Sequence, residues 1–131
     1  MQIPKDRQVY DRPTSVIWFD DDGILCSLSK QAPPQTLEDT KRNVDWLKKF
    51  LEGKKVCMLT ENNYTNAPPS KEIRQLAADE IPKITKALAF IAHSPLSKMI
   101  TNLFFTLYPP TYPVKMFDDE KKAKEWLKQY L

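Results

Sequence analysis

VIWFDDDGILCSLS, residues 16–29, is the stretch on which the fold of this chain turns. Val16 to Phe19 is β-branched and aromatic, the composition of a strand. Asp20-Asp21-Asp22-Gly23 follows, and its glycine accepts the positive φ of a tight turn. Ile24 to Leu28 is apolar again and reads as a returning strand. The stretch therefore predicts an antiparallel hairpin with its tip at Asp20 to Gly23.

Beyond the hairpin, short apolar runs alternate with amphipathic segments. Ala32-Pro33-Pro34 is a stiff connector, and Thr36-x-x-Asp39 has the form of a capping box that starts a helix. Leu37, Val44, Leu47 and Leu51 give that helix a buried stripe, widened by Trp46 and Phe50, and Gly53 stops it. Val56 to Thr60 reads as a strand. A polar loop from Glu61 to Pro69 contains Asn62, Asn63, Tyr64 and Asn66. Ser70 caps a helix with Ile73, Leu76, Ala77 and Ile81 on one face, terminated by Pro82. Ala87 to Ala92, apolar throughout, suits a central strand covered on both faces. Ser94 and Pro95 open a third helix. Its expected inner face is Leu96, Met99, Ile100, Leu103 and Leu107, with Phe105 opposite and Phe104 at the edge. Val114 to Phe117 is a last strand, and Asp118 is expected to cap a final helix packed through Ala123, Trp126, Leu127 and Tyr130. The order β-β-α-β-α-β-α-β-α predicts an α/β domain. With right-handed crossovers it has a mixed, mainly parallel five-stranded sheet, an N-terminal hairpin and about four helices. Residues 1–13 read as a flexible arm and residues 14–131 as a single domain.

Composition narrows the function classes. The chain has 131 residues, one domain's worth, and 20 basic against 17 acidic residues give a net charge of +3. So even a balance lacks the basic stripe of a nucleic-acid binder. Lys48, Lys49, Lys54 and Lys55 cluster at a helix end, where cations complement the dipole. Cys26 and Cys57 lie in apolar runs and lack the spacing of redox or zinc motifs, so both are expected as buried free thiols. No cofactor or metal-ligand pattern stands out. The first residues lack the apolar core of a signal peptide, and Ala87 to Ala92 is too short to span a membrane. A cytoplasmic protein is the expectation.

An apolar strand ending in D-x-D-G resembles the first motif of haloacid-dehalogenase-type phosphatases. That resemblance implies a magnesium-dependent phosphatase with Asp20 as nucleophile and Asp22 as general acid/base. Thr60 would stand in its second motif, Asp118 and Asp119 in its acidic metal motif, and Lys86 or Lys98 as its lysine. Ile24 stands where that family has a threonine. The pairing of carboxylates with a hard cation makes chemical sense.

A second resemblance extends from Tyr10 to the C-terminus. RPTSVIWFDDDGILCSLSK, the helix around Asn43, GKKVCML before a polar loop, KALAFIAHSPLSKMITNLF and YPVKMFDDEKKAKEWLKQYL resemble in layout the small bacterial SpoIIAA-like domains, the class of STAS and CRAL-TRIO-type folds. The resemblance implies a βα layered domain with a non-catalytic binding or regulatory role. In anti-sigma-factor antagonists of that class a serine at a helix N-terminus is phosphorylated, and Ser70 occupies the comparable place. Its alternative role is a plain helix cap. The CRAL-TRIO side of the class implies a carrier of a small hydrophobic ligand, with a pocket lined by Met99, Phe104, Phe105 and Tyr108.

Two geometric expectations complete the reading. Ligands of mainly parallel sheets bind beyond the carboxyl ends of the strands. Glu61, Asn62, His93, Ser94 and Asp118 fall at that edge, with Asn63 and Tyr64 in the adjoining loop. Phe105, on the outer face of its helix, marks a surface for a protein partner or a second copy in a homodimer.

Overall fold

The computed structural model describes residues 1–30, 35–62 and 69–131. The strands are β1 (Tyr10–Asp11), β2 (Ser15–Phe19), β3 (Leu25–Ser29), β4 (Val56–Glu61), β5 (Thr85–Ile91) and β6 (Val114–Phe117). The helices are α1 (Leu37–Phe50), α2 (Lys71–Glu80), α3 (Pro95–Leu107) and α4 (Glu120–Lys128), and a 3-10 turn at Ile81–Lys83 follows α2. The six strands form one sheet in the order β1-β2-β3-β4-β5-β6. β1, β2 and β3 pair antiparallel, and β3 through β6 pair parallel. The hairpin and the four helices match the sequence expectation. The sheet has six strands rather than five, because Tyr10 and Asp11 pair with Ile17 and Val16. A two-residue strand is too short to show a period-two pattern.

Local chemistry sets the helix starts. Thr36 accepts from the Asp39 N–H at 3.1 Å, and the Asp39 carboxylate accepts from the Thr36 N–H at 3.5 Å, closing the capping box of α1. The chain leaves α1 through Gly53 at φ 74°, a conformation that glycine adopts at little cost. Asp119, not Asp118, caps α4, accepting from the Lys121 N–H at 3.0 Å. Two adjacent aspartates satisfy the same requirement, and the one with extended backbone next to the first helical turn takes it.

Successive right-handed crossovers between neighbouring parallel strands place α1, α2 and α3 on one face of the sheet. Packing agrees. α1 lays Trp46, Leu47, Phe50 and Leu51 against Ile17, Leu25, Met58 and Ile84. The opposite face carries Val16, Trp18, Cys26, Cys57, Leu59, Ala87, Ala89 and Ile91 against Ala123 and Leu127 of α4. Met1 and Val9, from the arm at residues 1–13, pack against that same face. Both cysteines are buried and free. Burial pushes the Cys26 thiol up to about 12 and raises that of Cys57 as well, so both stay neutral thiols at ordinary pH.

Candidate functional site

The two faces of the sheet are filled unequally. The α4 face carries a continuous buried cluster, whereas the face under α1, α2 and α3 holds a partly open cavity of about 350 Å³. Its floor is built by strand alternation. One row across the sheet is Ile17, Ser27, Thr60 and Phe90, and the next is Leu25, Met58 and Leu88; each row is fixed by the pairing register. The roof is Asn43 and Leu47 of α1, Ile73, Arg74 and Ala77 of α2, and Ile100, Leu103, Phe104 and Leu107 of α3. Ile81 and Ile84 also line it. Ser27, Thr60 and Ala77 are small, and none reaches across to fill the space that the helices leave. The volume falls in the range of small-molecule sites.

Polarity is graded along this cavity. β3, β4 and β5 run parallel, and β2, which is antiparallel, begins where they end. Ser15, Ser27, Thr60 and Asn62 therefore lie toward the carboxyl end of the parallel strands. Arg12 joins them there, its N–H donating to the Ser15 carbonyl at 2.8 Å. Arg74, in the first turn of α2, comes from the same end. Its guanidinium donates to the Pro69 carbonyl at 2.9 Å. The other end is apolar, with Leu25, Met58, Leu88, Leu47, Ala77, Ile81 and Ile84. The Arg12 guanidinium stacks over the Trp46 ring, 4.0 Å from its centroid.

α3 forms the lip of the cavity, and it is rotated from the sequence expectation: Ile100 of the expected stripe is buried, but Phe104 and Phe105 also turn inward. Phe105 packs inward on Phe90 with ring centroids 5.5 Å apart, and Phe104 meets Phe105 at 5.0 Å and Tyr108 at 5.2 Å. Ser97, Ile100 and Thr101 are the buried residues of the helix. Of the expected inner stripe, Leu96, Met99, Leu103 and Leu107 are instead 37, 61, 52 and 56% exposed. The segment is apolar on most sides, so periodicity alone could not choose the face, and the stacked rings decide it. Of the pocket residues expected here, Phe104 lines the cavity. Met99 faces solvent, while Phe105 and Tyr108 are half-buried against neighbouring rings.

The carboxylates expected for a phosphatase are not brought together. Asp20 lies at the tip of the hairpin, where one of its carboxylate oxygens accepts from the N–H groups of Asp22 and Ile24, both at 2.9 Å. Gly23 closes the turn at φ 82°. Lys124 stands 3.5 Å from Asp20 and Lys128 stands 3.8 Å from Asp22. Asp118 follows β6, at the opposite end of the sheet, because β2 runs antiparallel to it. Asp20 serves as the turn's internal acceptor, and the D-x-D-G spacing follows from that role. Thr60, the residue assigned to the second motif, lines the cavity. Among the described residues no cluster of three or more histidine, cysteine or acidic side chains could hold a metal ion.

Glu61 and His93 do meet. The His93 Nε2 atom lies 2.9 Å from the Glu61 carboxylate, and the Met1 ammonium donates to the same carboxylate at 3.1 and 3.0 Å. This cluster sits on the α4 side of β4, away from the cavity, and ties the arm to the sheet. Asn62 lines the cavity. Ser94 caps α3, accepting from the Ser97 N–H at 3.0 Å. Ser70 is the exposed cap of α2 and accepts from the Ile73 N–H at 3.3 Å. Asn63 and Tyr64 lie outside the described residues.

Arg12, Asn43, Ser27 and Arg74 escaped the sequence reading. A signal for part of the set was present: Ser27 and Thr60 share the parity of Leu25 and Met58, so alternation marks one polar row on an otherwise apolar face.

A family model described as a domain of unknown function, DUF7793, matches residues 17–131. No curated protein matches the chain. Among solved structures, an uncharacterized protein of the DUF3478 family with a SpoIIAA-like fold, from Shewanella loihica PV-4, is 20% identical with a TM-score of 0.62. The match covers 92% of this chain and 99% of that one. A protein of unknown function from Arthrobacter sp. FB24 is 21% identical over 86% of this chain and 97% of its own, with a TM-score of 0.32. The first likeness establishes a SpoIIAA-like fold, the α/β layout expected from the sequence. No helix among the described residues is long and apolar enough to cross a membrane.

Proposed function

We propose that this chain, which belongs to the DUF7793 family of domains of unknown function, is a non-catalytic binding domain that takes a small apolar ligand into the cavity beneath α1, α2 and α3. The observation that carries this reading is the cavity itself: about 350 Å³, largely apolar, bounded by three helices and the sheet. Close packing is the rule in protein interiors, and apolar side chains left uncovered around a space of this size are the lining that a small-molecule site presents. Besides Arg12 and Arg74, the lining offers single hydroxyls and amides, with no nucleophile paired with a base among the described residues, which suits binding rather than turnover.

The test uses N-phenyl-1-naphthylamine, an uncharged apolar fluorophore. A saturable, blue-shifted rise in its emission with one site per chain is the expected result. Absence of saturable binding to protein stripped of copurifying lipid overturns the reading.

A second reading rests on the exposed apolar residues of α3. Leu96 and Met99 are exposed beside Leu103 and Leu107, which are exposed at the lip of the cavity, and such a group of residues is the kind of surface that marks association with a protein partner or a second copy. Sedimentation is expected to show a homodimer that Met99→Glu converts to a monomer of unchanged melting temperature. A wild type that stays monomeric as concentration rises removes self-association.

A further inference from the structure

We infer that the occupant of the cavity is a single-chain anionic amphiphile, with its head held by Arg12 and Arg74 at the carboxyl end of the sheet and its tail over Met58 and Leu88. This rests on the cavity reading above and names the ligand class. Arg12 and Arg74 are the only charged side chains among the described residues that line the cavity, and no carboxylate faces them there. Each has a buried Nε with no hydrogen-bond partner among the described residues. Among the described residues, neither guanidinium forms an ion pair with an acidic side chain.

A guanidinium at an apolar cavity with no carboxylate beside it leaves its charge uncompensated, and an anion placed there would compensate it. The planar fork of arginine fits the paired oxygens of a carboxylate or phosphate. Both forks come from the polar end, and the space beyond them is lined by Leu25, Met58, Leu88 and Ile84. A cavity polar and cationic at one end and apolar at the other matches an anionic amphiphile in polarity and sign. Its volume lies near the lower limit for small-molecule sites, which suits one chain rather than a two-chain lipid.

The test displaces N-phenyl-1-naphthylamine with four ligands of equal tail length: decanoate, decyl phosphate, decanol and decylamine. Decanoate or decyl phosphate is expected to displace the probe at a concentration about tenfold or more below that of decanol, with decylamine weakest. Which of the two anions is stronger separates a carboxylate from a phosphate head. Arg12→Gln and Arg74→Gln are each expected to weaken the preferred anion about tenfold more than they weaken the probe or decanol. Because Arg12 also stacks on Trp46, Arg12→Lys keeps a cation on that ring without the fork and is expected to lose most of the same preference. Decanol equal to both anions in the wild type, with the probe still binding, overturns the inference and leaves the cavity reading intact. The wild-type comparison stands even if a variant fails to fold. Failure of the probe to bind overturns the cavity reading instead.

Discussion

Leu59→Ala lowers the free energy of unfolding by about 3–4 kcal/mol, near the middle of the range for a fully buried leucine. Leu59 has no exposed surface and sits in β4, packed within the cluster that joins the sheet to Ala123 and Leu127 of α4. The close-packed face gives the new hole nothing to collapse into. Against a total stability of about 5–15 kcal/mol the loss is large, and a fall in melting temperature of about 10 °C or more should accompany it. Urea unfolding of the two proteins measures it. Met58→Ala, one residue earlier on the same strand, is the internal comparison. Met58 faces the cavity, so part of its surface already lacks protein contacts, and its loss should be about half as costly. Equal costs at the two positions would mean that the two faces are packed alike.

Ala77→Leu fills part of the cavity from α2 and should weaken binding of N-phenyl-1-naphthylamine at least tenfold. Its effect on stability should have the opposite sign. Leucine is nearly as good a helix former as alanine, and filling an apolar void commonly adds about 0.5–2 kcal/mol. A variant that melts higher and binds worse is the pattern of a domain that gives up packing to keep a site open. A melting temperature lowered by several degrees would show that the space beside Ala77 is already taken up by its neighbours.

The layout of the fold was legible because each signal was local. The hairpin followed from Asp20 to Gly23 between two apolar runs, and the capping box at Thr36 and the caps at Ser70 and Ser94 mark helix starts within three residues. Three features were hidden for physical reasons. β1 is too short to have a period. The apolar residues of α3 surround the helix, so the inward face depends on Phe90, a partner on another element. The cavity is a property of three helix packings at once, and no single stretch encodes a void. Arg12 and Arg74 are separated in sequence by β2, β3 and β4 and meet the same space only after β4 is in place. Asp20 and Asp118 are kept apart for a topological reason: the direction of β2, set by the hairpin, carries Asp20 to the end of the sheet opposite Asp118.

The strictly sequential strand order has a consequence for how the chain reaches this state. Each strand from β2 onward pairs with the strand made just before it, so the sheet can grow in the order in which the ribosome delivers it. No strand has to wait for a later one to be inserted between earlier neighbours, which keeps the contact order low for an α/β domain and favours rapid folding. Two closures depart from this order: α4, made last, packs Ala123 and Leu127 back onto the faces of β2, β3 and β4, and Met1 reaches Glu61 across sixty residues of chain. Both need β4 in place, so the two ends of the chain settle onto a sheet that must already have begun to form.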